Sequence, residues 1–275
     1  MDDKSLKTLV IPDIHLNHKL AEKIISSVKP DEIIFLGDTF DDFDDTPQMV
    51  CETAEWFKWS VNQPNRIHLA GNHCIHYWFP NNKNIRCGGF EQYKAIAIND
   101  IVKPDHWRKL KFFHVLDDWF LSHGGIHPYW IDPVKFRKDE PVTISKEKLI
   151  KKLEHDSIDC IKQLTAEKWH WFATAGFSRS SSPYVGGITW CDFSQEFEPM
   201  RGIHQIVGHT PDRNKIRWIV MKEDDNVAYA PEGAEPELSD KTSFNVCLDS
   251  YPALKWYAIW EGKKLTIHET KNSLK

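Results

Sequence analysis

Three observations predict an α/β fold. Short runs rich in Ile, Val, Leu and Phe alternate with stretches of helical periodicity over residues 7–125. Several of those runs stop at a Gly beside Asp, Asn or His. A single long, charged helical stretch then interrupts a chain that afterwards returns to strands.

The elements follow in order. "KTLVIPD" is a β-branched strand, and Leu20, Ile24, Ile25 and Val28 recur at helical spacing in "HKLAEKIISSVKP". "DEIIFLGD" is a second buried strand. "PQMVCETAEWFKWSV" is a helix opened by Thr46 as N-cap, with Pro47 at its first position. "NRIHLAGNH" is the third strand, "GFEQYKAIAIND" the third helix, and "KFFHVLDDWFLSHGG" a hairpin turning on Asp117-Asp118. "SKEKLIKKLEHDSIDCIKQL" is a long helix with alternating charge on its outer face. Strands resume at "HQIVGHT", "FNVCLDS" and "KWYAIWEGKKLTIHE", the last a hairpin around Glu261-Gly262. The expected organisation is one domain over 1–275. Residues 128–185 form a largely helical cap insertion, and 221–243 an acidic surface loop.

Composition bounds the function. The chain has 275 residues, 41% hydrophobic and 27% charged, which describes a globular domain and excludes disorder. No apolar run approaches the ~20 residues of a membrane span, and no signal-peptide pattern opens the chain. Six cysteines without CxxC spacing give neither a disulfide framework nor a zinc ribbon, so a cytoplasmic location is expected. A net charge of −5 with no Lys/Arg block argues against nucleic-acid backbone as a partner.

Chemistry collects at the strand ends. The first strand ends in Asp13-x-His15 and the second in Gly37-Asp38. The third ends in Gly71-Asn72-His73, the hairpin strand in His123-Gly124-Gly125 and a later strand in Gly208-His209. Ligand sites in open α/β sheets lie outside the carboxyl ends of strands, where Gly permits a sharp turn and close approach. Asp, His and Asn form a mixed oxygen–nitrogen set suited to Mn, Fe, Zn or similar ions. Each motif alone is weak; five in this order make one shared site.

In "PDIH", "GDTFDD", "GNHC", "SHGG" and "VGHT" the chain resembles the calcineurin-like metallophosphoesterase superfamily, over residues 8 to 211. It looks closest to the phosphoprotein-phosphatase-like branch and its bacterial and phage relatives. "GGITWCDFSQEFEPMRGIHQIVGHTP" is similar to the run before the last motif in that group. Thr210-Pro211 stands where most of the superfamily has a further His, again as in that branch. The resemblance implies a β-sandwich of two mixed sheets flanked by helices. It also implies two divalent metal ions, manganese first, with Fe, Zn, Ni or Mg as alternatives. Asp13, His15 and Asp38 would hold one, and Asp38, Asn72, His123 and His209 the other, with Asp38 as the bridge. A carboxylate suits that bridge because two adjacent cations need a shared anionic ligand. A metal-bridged hydroxide would attack phosphorus. His73 would protonate the leaving oxygen, oriented by Asp41.

The chain departs from the branch at two points. Asp42 stands where the branch has a phosphate-gripping Arg, and Cys74 where it has Glu. Substrate phosphate must therefore be held elsewhere. Arg179 in "TAGFSRSSSPYVGG" is the first candidate, with a solvent-facing loop Arg as its alternative; Arg201 and His127 are further substrate-binding candidates. His76, Tyr77, Trp78 and Phe79 either pack or stack a substrate ring, and Asp249 is expected beside the site. Asp44 and Asp45 are expected to be solvated.

The expected function is a dinuclear phosphohydrolase acting on a phosphomonoester of a protein or small molecule. The alternatives are a dinucleoside polyphosphate hydrolase or a phosphodiesterase. A non-catalytic scaffold is the competing class, opposed by the survival of every ligand position and of the His73/Asp41 pair.

Overall fold

In the computed structural model, which describes residues 5–271 except 181, 225, 230–237 and 253, the chain builds two mixed sheets flanked by helices. The elements of the first half are β1 (Thr8–Ile11), α1 (His18–Val28), β2 (Glu32–Phe35), α2 (Pro47–Ser60), β3 (Arg66–His68), α3 (Asn72–Trp78), α4 (Gln92–Ile101) and α5 (Pro104–Trp107). A hairpin follows, β4 (Phe113–Leu116) and β5 (Trp119–Ser122), then α6 (Pro128–Ile131), α7 (Pro133–Phe136) and α8 (Lys146–Thr165). The last part holds β6 (His204–Val207), β7 (Arg217–Met221), β8 (Val227–Tyr229), β9 (Ser243–Cys247), β10 (Trp256–Glu261) and β11 (Lys264–Glu269).

The first sheet has the order β11-β10-β1-β2-β3, with β1, β2 and β3 parallel. The second has the order β4-β5-β6-β9-β7-β8, with β5, β6 and β9 parallel. Alternation along the strands explains the layering. Leu9, Ile11, Ile33 and Phe35 pack against Ala21, Ile24, Ala54 and Phe57 of the helices. Val10, Ile34 and Leu36, on the opposite face, meet Trp119, Leu121, Ile206 and Val246 of the other sheet. Each Leu, Ile, Val or Phe among them withdrawn from water contributes about 1.5–3 kcal/mol.

Local chemistry sets the boundaries. Thr46 Oγ1 accepts from Met49 N at 3.3 Å and Pro47 opens α2. Ser145 caps α8, whose Leu149, Leu153, Cys160 and Leu164 join the main core. The first hairpin turns on Asp117-Asp118, pairing Leu116 with Trp119. The last hairpin turns one residue later than expected: Glu261 pairs with Lys264, and Gly262 and Lys263 carry the positive φ angles its turn needs. The 221–243 segment is not all loop, because β8 adds antiparallel to β7 within it; residues 225 and 230–237 of that segment lie outside the described residues. Asp45 is also not solvated: its carboxylate lies 2.5 Å from the buried Lys94 Nζ.

Candidate active site

The carboxyl ends of the parallel strands converge. β1 delivers Asp13 and His15, β2 Asp38 and Asp41, and β3 Asn72 and His73. From the second sheet β5 delivers His123, β6 His209 and β9 Asp249. Four of these residues, His15, Asp38, Asp41 and His209, hold left-handed backbone (φ 38°, 37°, 67° and 65°), a conformation non-glycine residues adopt uncommonly. Two glycines permit the close approach. A Cβ on Gly71 would fall 2.1 Å from Asp38 Oδ1, and one on Gly208 2.0 Å from Asp13 Oδ1.

Two ligand groups share one carboxylate. Asp13, His15 and Asp38 place their ligand atoms within 4.8 Å of one another, and so do Asp38, His123 and His209. Asp38 Oδ2 lies 3.1 Å from His123 Nε2 and 4.0 Å from His15 Nε2. The Asn72 amide is 3.0 Å from His123 Nε2, so it joins the second group. His15 Nδ1 donates to Asp41 O (2.7 Å) and His123 Nδ1 to Leu36 O (3.1 Å), which leaves each Nε2 facing inward as a lone pair.

The charges are unbalanced by protein alone. Burial, with the neighbouring charges of Asp249 and Asp38, pushes the Asp13 carboxyl up to about 7 despite His123 and His15. Burial acts on Asp38 in the same sense, yet His123 and His73 hold it well below the usual carboxylate range. His209 is pushed well below its ordinary value by burial and by His123. Its Nδ1 lies 3.2 Å from His123 Nε2, and its buried Nε2 has no hydrogen-bond partner among the described residues. Facing imidazole nitrogens beside buried carboxylates form a donor set that fits divalent cations.

Beside this set, His73 Nδ1 lies 2.8 Å from Asp41 Oδ2. Asp41 is held in turn: Tyr77 Oη donates to Oδ1 at 2.5 Å, His76 Nε2 is 3.0 Å from Oδ2, and Lys94 Nζ is 3.4 Å from Oδ1. Burial opposes the charged form of Asp41, but the His73 hydrogen bond and the His76 ring 3.0 Å away keep it ionised. Tyr77, His76 and Lys94 are thus structural partners of Asp41. Trp78 stacks on Phe79 at 4.7 Å, so it packs.

The calcineurin-like phosphoesterase family model matches residues 6–213. The chain belongs to that family. It is a metal-dependent phosphoesterase by kind, a hydrolase of the phosphatase type. Searched against curated proteins, the chain matches none. Among solved structures, a metallophosphoesterase from Sphaerobacter thermophilus is 18% identical, covering 97% of this chain and 89% of that one, with a TM-score of 0.45. A protein serine/threonine phosphatase from Saccharomyces cerevisiae is 13% identical, covering 98% and 82%, with a TM-score of 0.49. The family model alone carries the assignment.

A cleft of about 690 Å³ opens this phosphoesterase's site to solvent. Arg179 lines it, its Nε and Nη2 both 2.9 Å from Asp192 Oδ2. Asp42 lines it too and accepts from Tyr251 Oη at 2.5 Å. Two other sequence candidates lie outside the cleft lining. Arg201 binds the carbonyls of Lys241 (2.7 Å) and Glu223 (3.1 Å), tying down the chain beyond β7 and before β9. His127 is buried, caps α6 by accepting from Tyr129 N at 3.1 Å, and is pushed down to about 3 by burial. Arg86, Arg213, Trp190 and Cys87 line the cleft without having been singled out. Only Arg213 carried a signal, as the next cation after the "VGHTP" strand end. Among the described residues no helix is long and apolar enough to cross a membrane.

Proposed function

We propose that this phosphoesterase is a dinuclear metal-dependent phosphohydrolase of the phosphoprotein-phosphatase-like branch, acting on phosphomonoesters of a protein or small molecule. The observation that carries the reading is the sharing of Asp38 between two ligand groups. Two divalent cations, manganese first, would be held by Asp13, His15 and Asp38 and by Asp38, Asn72, His123 and His209; they would supply charge neutralisation and an activated water. The chain's own groups do the rest. The carbonyls of Asp41 and Leu36 fix the rings of His15 and His123. His73, held at Nδ1 by Asp41, donates the proton from Nε2 to the leaving oxygen. Arg179, oriented by Asp192, binds phosphate oxygens in place of the Arg absent at Asp42. The six unpaired cysteines support a cytoplasmic location.

The second reading, a dinucleoside polyphosphate hydrolase, draws on Phe43, Trp190 and Tyr251 at the cleft, whose rings are able to stack bases. One panel tests both. With Mn²⁺, an aryl phosphomonoester, a phosphopeptide, a phosphodiester and a dinucleoside polyphosphate are compared. Monoester turnover is expected to lead. Turnover of diesters alone, or no turnover after metal loading, would overturn the proposal.

A further inference from the structure

A third cluster of metal-capable side chains stands beside the site and is chemically unlike the other two. His73 and His76 lie one helical turn apart on α3, and Cys87 reaches them from the loop before α4. Cys87 Sγ is 3.2 Å from His76 Nδ1 and 3.8 Å from His73 Nδ1, and the three ligand atoms fall within 4.8 Å of one another. A tetrahedral zinc ion bonded at about 2.0–2.3 Å holds its nitrogen and sulfur ligands roughly 3.4–3.6 Å apart, so the observed separations bracket the requirement. The fourth position is open to Asp41, whose Oδ2 is 2.8 Å from His73 Nδ1, or to water from the cleft.

We propose that His73, His76 and Cys87 form an inhibitory zinc site that silences the phosphoesterase by capturing His73. The donor set selects the ion. A thiolate with two imidazoles suits Zn²⁺ and disfavours Mn²⁺ and Mg²⁺, whereas the carboxylate-rich groups around Asp38 suit the harder ions. The position makes it exchangeable: Cys87 and His73 both line the open cleft, unlike the closed environment of structural zinc. The consequence follows from geometry. Zinc on His73 Nδ1 displaces the hydrogen bond to Asp41 and ties the ring to Cys87 and His76, so the ring loses the carboxylate that aims it. The proton left on Nε2 belongs to a neutral imidazole, a far weaker acid toward the leaving oxygen than the imidazolium Asp41 holds. Asp41 keeps Tyr77 and Lys94, so the fold around it is unharmed.

Zinc binding does not rest on the proposed function, but the inhibition does, and the test separates them. The Mn²⁺-loaded protein is titrated with Zn²⁺ while alkylation of Cys87 by iodoacetamide is followed by peptide mass. Co²⁺ is added in parallel to look for thiolate-to-metal charge transfer. Expected are protection of Cys87, a charge-transfer band that Cys87→Ser lacks, and a fall in turnover of an alkyl phosphate of about 10²-fold, the share a general acid supplies. Cys87→Ser should keep its zinc-free turnover and resist zinc. Unprotected Cys87, or an identical zinc response in Cys87→Ser, overturns the site. Protection without lost turnover overturns the inhibition. Protection in a protein inactive on every phosphoester leaves the zinc site supported and counts against the proposed function instead.

Discussion

His73 and Arg179 divide the work that the cleft demands. His73 touches no carboxylate of the two ligand groups through its ring, because its Nδ1 is committed to Asp41. His73→Asn should therefore retain bound metal, measured by elemental analysis. Turnover on an alkyl phosphate should fall by about 10²–10⁴-fold, with a much smaller loss on an activated aryl ester. Equal losses on both esters would remove its role as proton donor. Arg179→Ala should raise KM about 10–100-fold, because one charge-assisted contact to phosphate is worth roughly 1.5–3 kcal/mol. An unchanged KM would assign the guanidinium to Asp192 alone. Identity was readable at this scale, but direction was not. Asp13, His15, Asp38, Asn72, His123 and His209 were legible because each ends an apolar run. Arg201 and His127 carry the same functional groups, yet their side chains serve main-chain partners. No residue type announces which way it points. Lys94 was illegible for a further reason: a lysine on a helix is ordinarily solvated, yet here it is buried among Asp41, Asp45 and the Gly89 carbonyl.

Elements convert those identities into a site through where strands stop. β6 ends so that Gly208 lies against the Asp13 carboxylate and His209 N donates to it at 3.0 Å. The glycine is thus part of how Asp13 is aimed. Gly208→Ala places a methyl group 2.0 Å from Oδ1, where the carboxylate must shift. Manganese affinity by calorimetry should drop about 10–100-fold, the usual cost of disturbing what orients a ligand. Unaltered affinity would mean that Asp13 does not hold the ion. The strand ends were legible because Gly beside Asp or His breaks an apolar run sharply. β8 was not, since "NVAY" sits inside an acidic, Pro-containing stretch whose composition reads as loop, and β7 was not, since "IRWIVM" runs straight into that stretch with no Gly beside Asp or His to mark its end. α3 was hidden because its residues carry ligands and aromatic partners in place of an amphipathic stripe.

Over the whole molecule, the packed sheets and helices bury histidines that the site does not use, and these shape the pH dependence of its stability. Period-two alternation marks which residues are buried but not which sheet covers them, so the sandwich itself came from resemblance and not from pattern. His68 illustrates the cost of that burial. It stacks on Phe35 at 4.3 Å, bonds Ser60 Oγ through Nε2 at 2.8 Å, and is pushed down to about 3 by burial and by Arg66. Its folded value thus lies below the unfolded value of about 6.5. As pH falls through about 6.5 the unfolded chain takes up a proton that the folded one refuses until about 3. Its contribution is therefore complete above the unfolded value and is lost progressively as pH falls toward the folded one. At about 1.4 kcal/mol per unit, His68 alone costs about 2 kcal/mol between pH 6.5 and 5, and the buried His127 adds a similar amount. Urea unfolding at pH 7 and pH 5 reads this directly. His68→Gln should reduce the loss by about 2 kcal/mol relative to the unsubstituted chain, with metal release at the lower pH common to both. An equal loss in the two proteins would mean that His68 is charged in the folded state.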